Sequence, residues 1–445
     1  MQSYIKNIIS CLSIFLVLCL LLCITSCAGS KSNQDDTSPE PQDINNYSEL
    51  KIGYDNFGKS LLTVGAFTAD GFYNFVTRDG VPYDTSNGQY GTANLTYIDY
   101  TSATQLLLCN IPGCAHNNSD CPSYMSGGAG PCILFSDAQE NRIISLVTGI
   151  PGYEVETKEQ LGKITLMDLT GSNRTQLYTL QSRESFSLED SIFVDEDTIY
   201  LAVITLDEDT NQFIKEVRMI DLDTGTDAVL LRTTYDLSLV SCYEDNIVFY
   251  MRSEIPFVYS ALNVHTGEIK ELYSGQGALL TSKHYNYYAN NMFDGTGELT
   301  IIDLIDHSRK TISGIPCHPE KGITVSDLYD GVLEWSYVTP EPEGKIHTYF
   351  VNTETGDFWE KTLERKPYDG YDITSPVLVC GKTGDGRFLV LLDSHDCEVS
   401  FTDYQGIPHI VSFENQPSYG LISMNDYYNS IPNYQLIIDQ VYTHN

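Results

Sequence analysis

Positive charge is scarce in this sequence: 25 Lys and Arg stand against 60 Asp and Glu, a formal net charge of -35. A surface of that sign repels phosphate backbones and anionic headgroups, which excludes nucleic acid as a partner class. Tryptophan is almost missing, with 2 residues against 31 tyrosines. Beyond the N-terminal stretch, no apolar run approaches the roughly 20 residues that cross a bilayer as a helix. No long amphipathic helical period appears after residue 50. Catalytic signatures are missing too: there is no G-x-S-x-G, H-E-x-x-H, Walker loop or dinucleotide fingerprint.

What is present begins with location. "MQSYIKNIISCLSIFLVLCLLLCITSC" has a short basic start at Lys6, an uncharged apolar core, and small residues before Cys27. That is the plan of a secretory leader, to be set apart from the fold. The cysteine after Thr25-Ser26 resembles the lipobox of bacterial lipoproteins. The resemblance implies cleavage before Cys27, diacylation of its thiol, and an extracytoplasmic body held to the membrane by acyl chains. An uncleaved membrane anchor or a plain signal peptide is the alternative. Residues 1–26 are thus read as signal peptide and 27–49 as lipidated cysteine plus tether. The tether is rich in Ser, Asp and Pro and too polar to fold alone.

The body, 50–445, is rich in Tyr, Gly, Asn, Asp and Thr at short intervals, the mix of a β-rich protein full of tight turns. Seven segments share one plan: alternating apolar residues, an Asp or Asn, a turn, and a second short strand. They pivot at Asp99, Asp168, Asp221, Asn263, Asp303, Asn352 and Asp403. Another hairpin precedes each, as in "SIFVDEDTIYLAVI" and "LVSCYEDNIVFYMR". Four antiparallel strands per unit, repeated, predict an all-β fold, a β-propeller of seven blades. A pair of β-sandwiches is the weaker alternative. The tail "GLISMNDYYNSIPNYQLII" is expected to close the ring against the first blade, an eighth blade being the other option.

The string "YIDY…LCNIPGCAHNNSDCPSY", followed by the blades and "MNDYYNSIPNYQLI", resembles propeller lipoproteins of Gram-positive anaerobes related to TolB-like and low-density-lipoprotein-receptor-like propellers. The resemblance spans nearly the whole body and implies a fold and a location, with no established activity.

Cys109, Cys114, His116 and Cys121 form C-x4-C-x-H-x4-C, four donors able to wrap one tetrahedral Zn2+ as a structural site. The spacing is not that of a standard zinc finger. Outside the membrane cysteines commonly pair, and Cys132 completes an even set, so disulfides among Cys109, Cys114, Cys121 and Cys132 are the competing expectation. Among the remaining body cysteines, Cys242 and Cys380 sit in apolar strands, while Cys317 and Cys397 lie beside His318 and His395. Asp207, Asp209 and Asn211 begin like a calcium loop, but Arg218 stands where the closing Glu belongs, which makes the stretch a solvated hairpin tip; Asp294 to Glu298 reads the same way.

Two functions from different classes fit this. The first is a cell-surface scaffold binding a protein, peptide or glycan of unknown identity, with tyrosines such as those from Tyr285 to Phe293 and Pro367 to Asp372 as contact surface. The second is a carbohydrate-active hydrolase or lyase working in the central channel, for which Trp335 and Trp359 are few aromatic platforms. Binding is the expectation, and no residue is assigned a catalytic role.

Overall fold

The computed structural model describes residues 50–55, 65–77, 93–114, 116, 119–125, 132–150, 161–207, 210–234, 236–251, 256–292, 294–327, 329–340, 344–366, 374–402 and 408–441, without side chains for 76–77 and 394–416. All lie in the unit Ile44–Asn445. The leader and tether, Cys27 included, lie outside the described residues.

Seven sheets of four antiparallel strands follow one another along the chain and form a seven-bladed β-propeller. In blade 3, for example, Ile192–Val194, Thr198–Asp207, Gln212–Asp221 and Asp227–Thr234 run from the innermost strand to the rim. Blade 4 repeats the order with Leu237–Tyr243, Asn246–Met251, Phe257–Asn263 and Ile269–Gly275. Each face buries apolar residues against the next blade: Phe193, Tyr200 and Val217 of blade 3 meet Leu239, Ile247 and Leu262 of blade 4. Leu299 and Ile301 of blade 5 meet Leu333 and Trp335 of blade 6.

The marked Asp and Asn residues explain the repetition. Asp221 Oδ1 accepts from the backbone N–H groups of Asp223 and Thr224 at 3.0 and 2.7 Å, folding the turn between the third and fourth strands. Asp99, Asn263, Asp303 and Asn352 each accept two such bonds at the corresponding turn. Asp168 does so from Thr170 and Ser172. These carboxylates and amides replace one backbone acceptor of the turn.

Blade 7 departs from the expected phase. Asp403 lies outside the described residues, but the strands flanking it, Arg387–Thr402 and Pro408–Ser423, are the second and third of the blade. The turn equivalent to the other six is instead a short helix, Met424–Tyr428, capped by the Ser423 hydroxyl accepting from Asp426 N–H at 3.0 Å. Alternation alone does not distinguish one hairpin of a four-stranded unit from the next, so the expected pivot belongs to the hairpin of the second and third strands.

The tail closes the ring as a clasp. Gln435–Leu436 completes blade 7 as its fourth strand, and Ile438–Asp439 then pairs in parallel with the rim strand Thr104–Leu107 of blade 1. No eighth blade forms among the described residues. At the other end of the chain, Lys51–Tyr54 pairs antiparallel with Ile192–Val194, adding a strand inside the innermost strand of blade 3 and within the channel. Nothing in "KIGY" announces that position.

Candidate metal centre and central channel

The crossing from blade 1 to blade 2 leaves the rim strand at Leu107 and reaches the next inner strand at Cys132. Such a long connection has little sheet to hold it. Cys109 N–H donates to Leu107 O at 2.8 Å, and a turn over Pro112-Gly113 brings Cys114 N–H to Ile111 O at 3.2 Å. Gly113 has φ +69°, the left-handed conformation glycine takes without strain. His116 also sits left-handed, at φ +52°, which turns its Nδ1 to 3.2 Å from Cys121 Sγ and its backbone N–H to 3.4 Å from Cys114 Sγ.

Together these turns gather the donor atoms of Cys109, Cys114, His116 and Cys121 within 4.8 Å of one another. The thiols are unpaired. Sulfurs on a tetrahedral Zn2+ at about 2.3 Å stand roughly 3.8 Å apart, so the cluster has the dimensions of a closed four-ligand site. Burial pushes the Cys109 thiol up to about 12, against a backbone hydrogen bond from Ile111 and with Cys121 and Cys114 adding to the rise. Burial also opposes ionisation of Cys121, but hydrogen bonds from Ser123, Cys114 and Cys109 outweigh it and hold that thiol below its usual range. The chemistry is that of a donor set able to hold a metal.

Around the donors lies a supporting shell that the spacing did not announce. Ser123 Oγ stands 3.0 Å from Cys121 Sγ. Asn94, from the third strand of blade 1, donates to His116 O at 3.0 Å and to Ser123 Oγ at 3.1 Å. From blade 2, the Arg174 guanidinium donates to Pro122 O, Tyr124 O and Gly171 O, so a cation beside Cys121 ties the crossing to the next blade. Gly171 fits this approach closely: a Cβ there would meet Leu108 Cδ2 and Pro122 O at 2.8 Å. Cys132 stands outside the cluster, its Sγ 3.3 Å from Ser145 Oγ.

The other candidates disperse. Cys242, Cys317 and Cys380 are buried thiols outside the cluster. The side chains of Cys397 and His395, and residues 367–372, lie outside the described set. Asp207 pairs with Gln212 across a hairpin tip and Asp294 Oδ1 accepts from Thr296 N–H at 3.0 Å, both ordinary turns; Asp209 is not described. Of the tyrosines in "YNYY", Tyr287 is buried with Trp335 and Tyr288 donates to Gln276 O at 3.0 Å, so this run packs rather than projecting as a surface.

The channel holds a cavity of about 220 Å3 beside the N-terminal strand. Its charged groups are already engaged. Asp137 accepts from Arg142 Nε at 2.9 Å and Glu140 accepts from Ala69 N–H at 2.6 Å. Lys51 donates to Ala138 O at 2.9 Å, and Lys382 lies 3.7 Å from Asp330. The tryptophans are elsewhere, Trp335 Nε1 bonded to Pro316 O at 3.0 Å and Trp359 Nε1 to Tyr428 O at 2.7 Å.

No family model matches the chain, and no curated protein matches it by sequence. Among solved structures, an oligogalacturonate lyase in complex with manganese aligns with a TM-score of 0.40 at 12% identity, over 78% of this chain and 99% of that one. The β-propeller domain of the trilobed protease from Pyrococcus furiosus aligns at 0.40 and 9% identity, over 90% of this chain and 100% of that one. TolB from Acinetobacter baumannii aligns at 0.32 and 12% identity, over 83% of this chain and 76% of that one. These are likenesses of fold alone.

Proposed function

We propose that this chain is a binding or scaffolding module, a β-propeller lipid-anchored through Cys27 outside the cell membrane, that recognises a protein, peptide or glycan partner. The observation that carries this over catalysis is the N-terminal strand lying in the channel. The strand Lys51–Tyr54 occupies the space where a propeller enzyme would gather its reacting groups, and the acids beside it, Asp137 and Glu140, already hold Arg142 and a backbone N–H. Both tryptophans are committed elsewhere, and the aromatic residues that line the cavity are Tyr54, Phe67 and Tyr329.

In the same proposal Cys109, Cys114, His116 and Cys121 hold a structural Zn2+. The ion would fix the crossing between blades without taking part in a reaction, because four protein ligands leave no position for water. Arg174 would offset thiolate charge around it, and the Ser123 hydroxyl would donate a hydrogen bond to Cys121.

Two measurements test these readings. Incubating the purified body with a panel of polysaccharides is expected to give no turnover; turnover abolished by Glu140→Gln would make it an enzyme. Elemental analysis of the protein prepared without chelator is expected to give one zinc per chain. No metal, with the thiols of Cys109, Cys114, Cys121 and Cys132 oxidised, would replace the ion with disulfides.

A further inference from the structure

In each blade the turn from the first to the second strand lies at one end of the channel, and the connection from the second to the third strand lies at the other. The first end is here the turn face and the second the loop face. The channel strand has a direction relative to them. Lys51 pairs with Val194, where the inner strand of blade 3 enters its first turn, while Tyr54 pairs with Ile192 at the opposite end of that strand. Leu50 confirms the level: its carbonyl accepts from Cys242 Sγ at 3.5 Å, beside the first turn of blade 4. Lys51 Nζ reaches Ala138 O in the first turn of blade 2. The chain therefore enters the ring through its turn face.

That face is acidic. Asp70, Glu140, Glu196, Asp197, Asp245 and Asp330 stand in the first turns, and of the seven blades only the fifth has a first turn without an acid. Three further features belong to the opposite end: the hairpin tip around Thr210, the connection ending at Gly344, and the two 16-residue strands of blade 7 rising towards residues 403–407.

We propose that an N-terminal anchor holds the propeller by its acidic turn face, so that the loop face is the surface presented to partners arriving from outside. The proposal rests on the reading of Cys27 as the anchor. A disc pulled from a strand inside its channel is gripped near its axis, which fixes which face looks back along the tether.

The test uses the chain from Cys27 onward, bound through an N-terminal hexahistidine to nickel-chelating lipid in phosphatidylcholine vesicles. A donor dye is placed at Asp197 or at Thr210, through an unnatural amino acid that spares the native thiols, with an acceptor on the headgroups. The strand Thr198–Asp207 joining the two positions has 10 residues. At about 3.3 Å per residue the dyes are separated by roughly 30 Å. Energy transfer several-fold higher from position 197 than from 210 is expected; equal transfer, or a higher value from 210, overturns the proposal. Gly53→Val provides the second arm, because a Cβ there would meet Phe135 Cδ2 at 2.9 Å and Val194 Cγ1 at 3.2 Å and so displaces the strand. The difference between the dyes should then vanish in a ring that stays folded, and its persistence would show that the channel strand does not orient the disc. Because the coupling is made in vitro, these outcomes are independent of acylation at Cys27, which the mass of the N-terminal peptide from bacterial membranes decides separately.

Discussion

Lys215→Met should destabilise the ring at the junction of blades 3 and 4 far more than its change in size suggests. Lys215 is 2% exposed and its Nζ donates to Asp190 Oδ2 at 2.7 Å and to Leu237 O at 2.7 Å. Asp190, fully buried, also accepts from Leu239 N–H at 2.8 Å and from the Ser187 hydroxyl. One ammonium thus joins the third strand of blade 3 to the start of blade 4, with Asp190 bonded to the same stretch of backbone. Methionine fills the space but leaves a carboxylate in the interior with two dipoles and no counter-charge. Removing one partner of such a pair costs about 3–5 kcal/mol. Urea unfolding followed by tyrosine fluorescence measures the loss. Adding Asp190→Asn to Lys215→Met removes the orphaned charge while keeping an acceptor for Leu239, and should recover at least about 2 kcal/mol. A single variant within about 1 kcal/mol of the parent, or an asparagine that adds further loss, would refute the view that the pair is held by mutual charge in a dry site.

Two other expectations concern acid and closure. The Asp385 carboxyl is held down to about 2, first by its hydrogen bond from Arg387, against burial, with Thr383 adding to the fall. A group depressed in the fold contributes stability above its unfolded value of about 4 and loses that contribution as pH falls towards about 2. Asp385→Asn should therefore lower the urea midpoint at pH 6 and converge on the parent by pH 2; a constant gap would exclude this carboxylate. Ending the chain after Tyr434 removes the bonds from Ile437 N–H to Tyr419 O, Ile438 N–H to Ala103 O and Gln440 N–H to Gln105 O. At about 1 kcal/mol each, at least about 3 kcal/mol should go, and the amides of Thr104–Leu107 should lose hydrogen-exchange protection; unchanged protection would show that the clasp does not close the ring.

The blades were legible because their turns are written in side chains. Asp99, Asp168, Asp221, Asn263, Asp303 and Asn352 fold local turns by bonding residues two to four positions ahead, and a contact that local leaves a mark at a fixed place in each repeat. The Cys/His cluster was legible for the same reason, its donors falling within one loop. Asp403 misled because alternation flanks it as it does the others, whereas Ser423 and a helix take the equivalent turn in blade 7. What the sequence concealed is long-range: Lys51 against Val194, Arg174 over Pro122, and the register of Ile438 on Thr104, although closure of the ring by the tail was expected. None of these partners carries a local pattern, and strands of two to four residues are too short for any periodicity to register.

The clasp has a consequence for the order of assembly. Blades 2 to 6 are each made from one continuous stretch and are free to form as the chain appears, with neighbours in sequence as neighbours in space. The pairing of Ile438 with Thr104 joins the two ends of the body and has the greatest loop to close. The channel strand belongs to the first residues of the body, so the ring must be built around it, and the last few residues seal it there. A chain synthesised from its N-terminus is therefore a row of blades with its axle already in hand and its final join pending. Folding should show a slow last phase that reports on residues 435–441, and blade 3, which binds the axle, is the natural place for the row to begin curling.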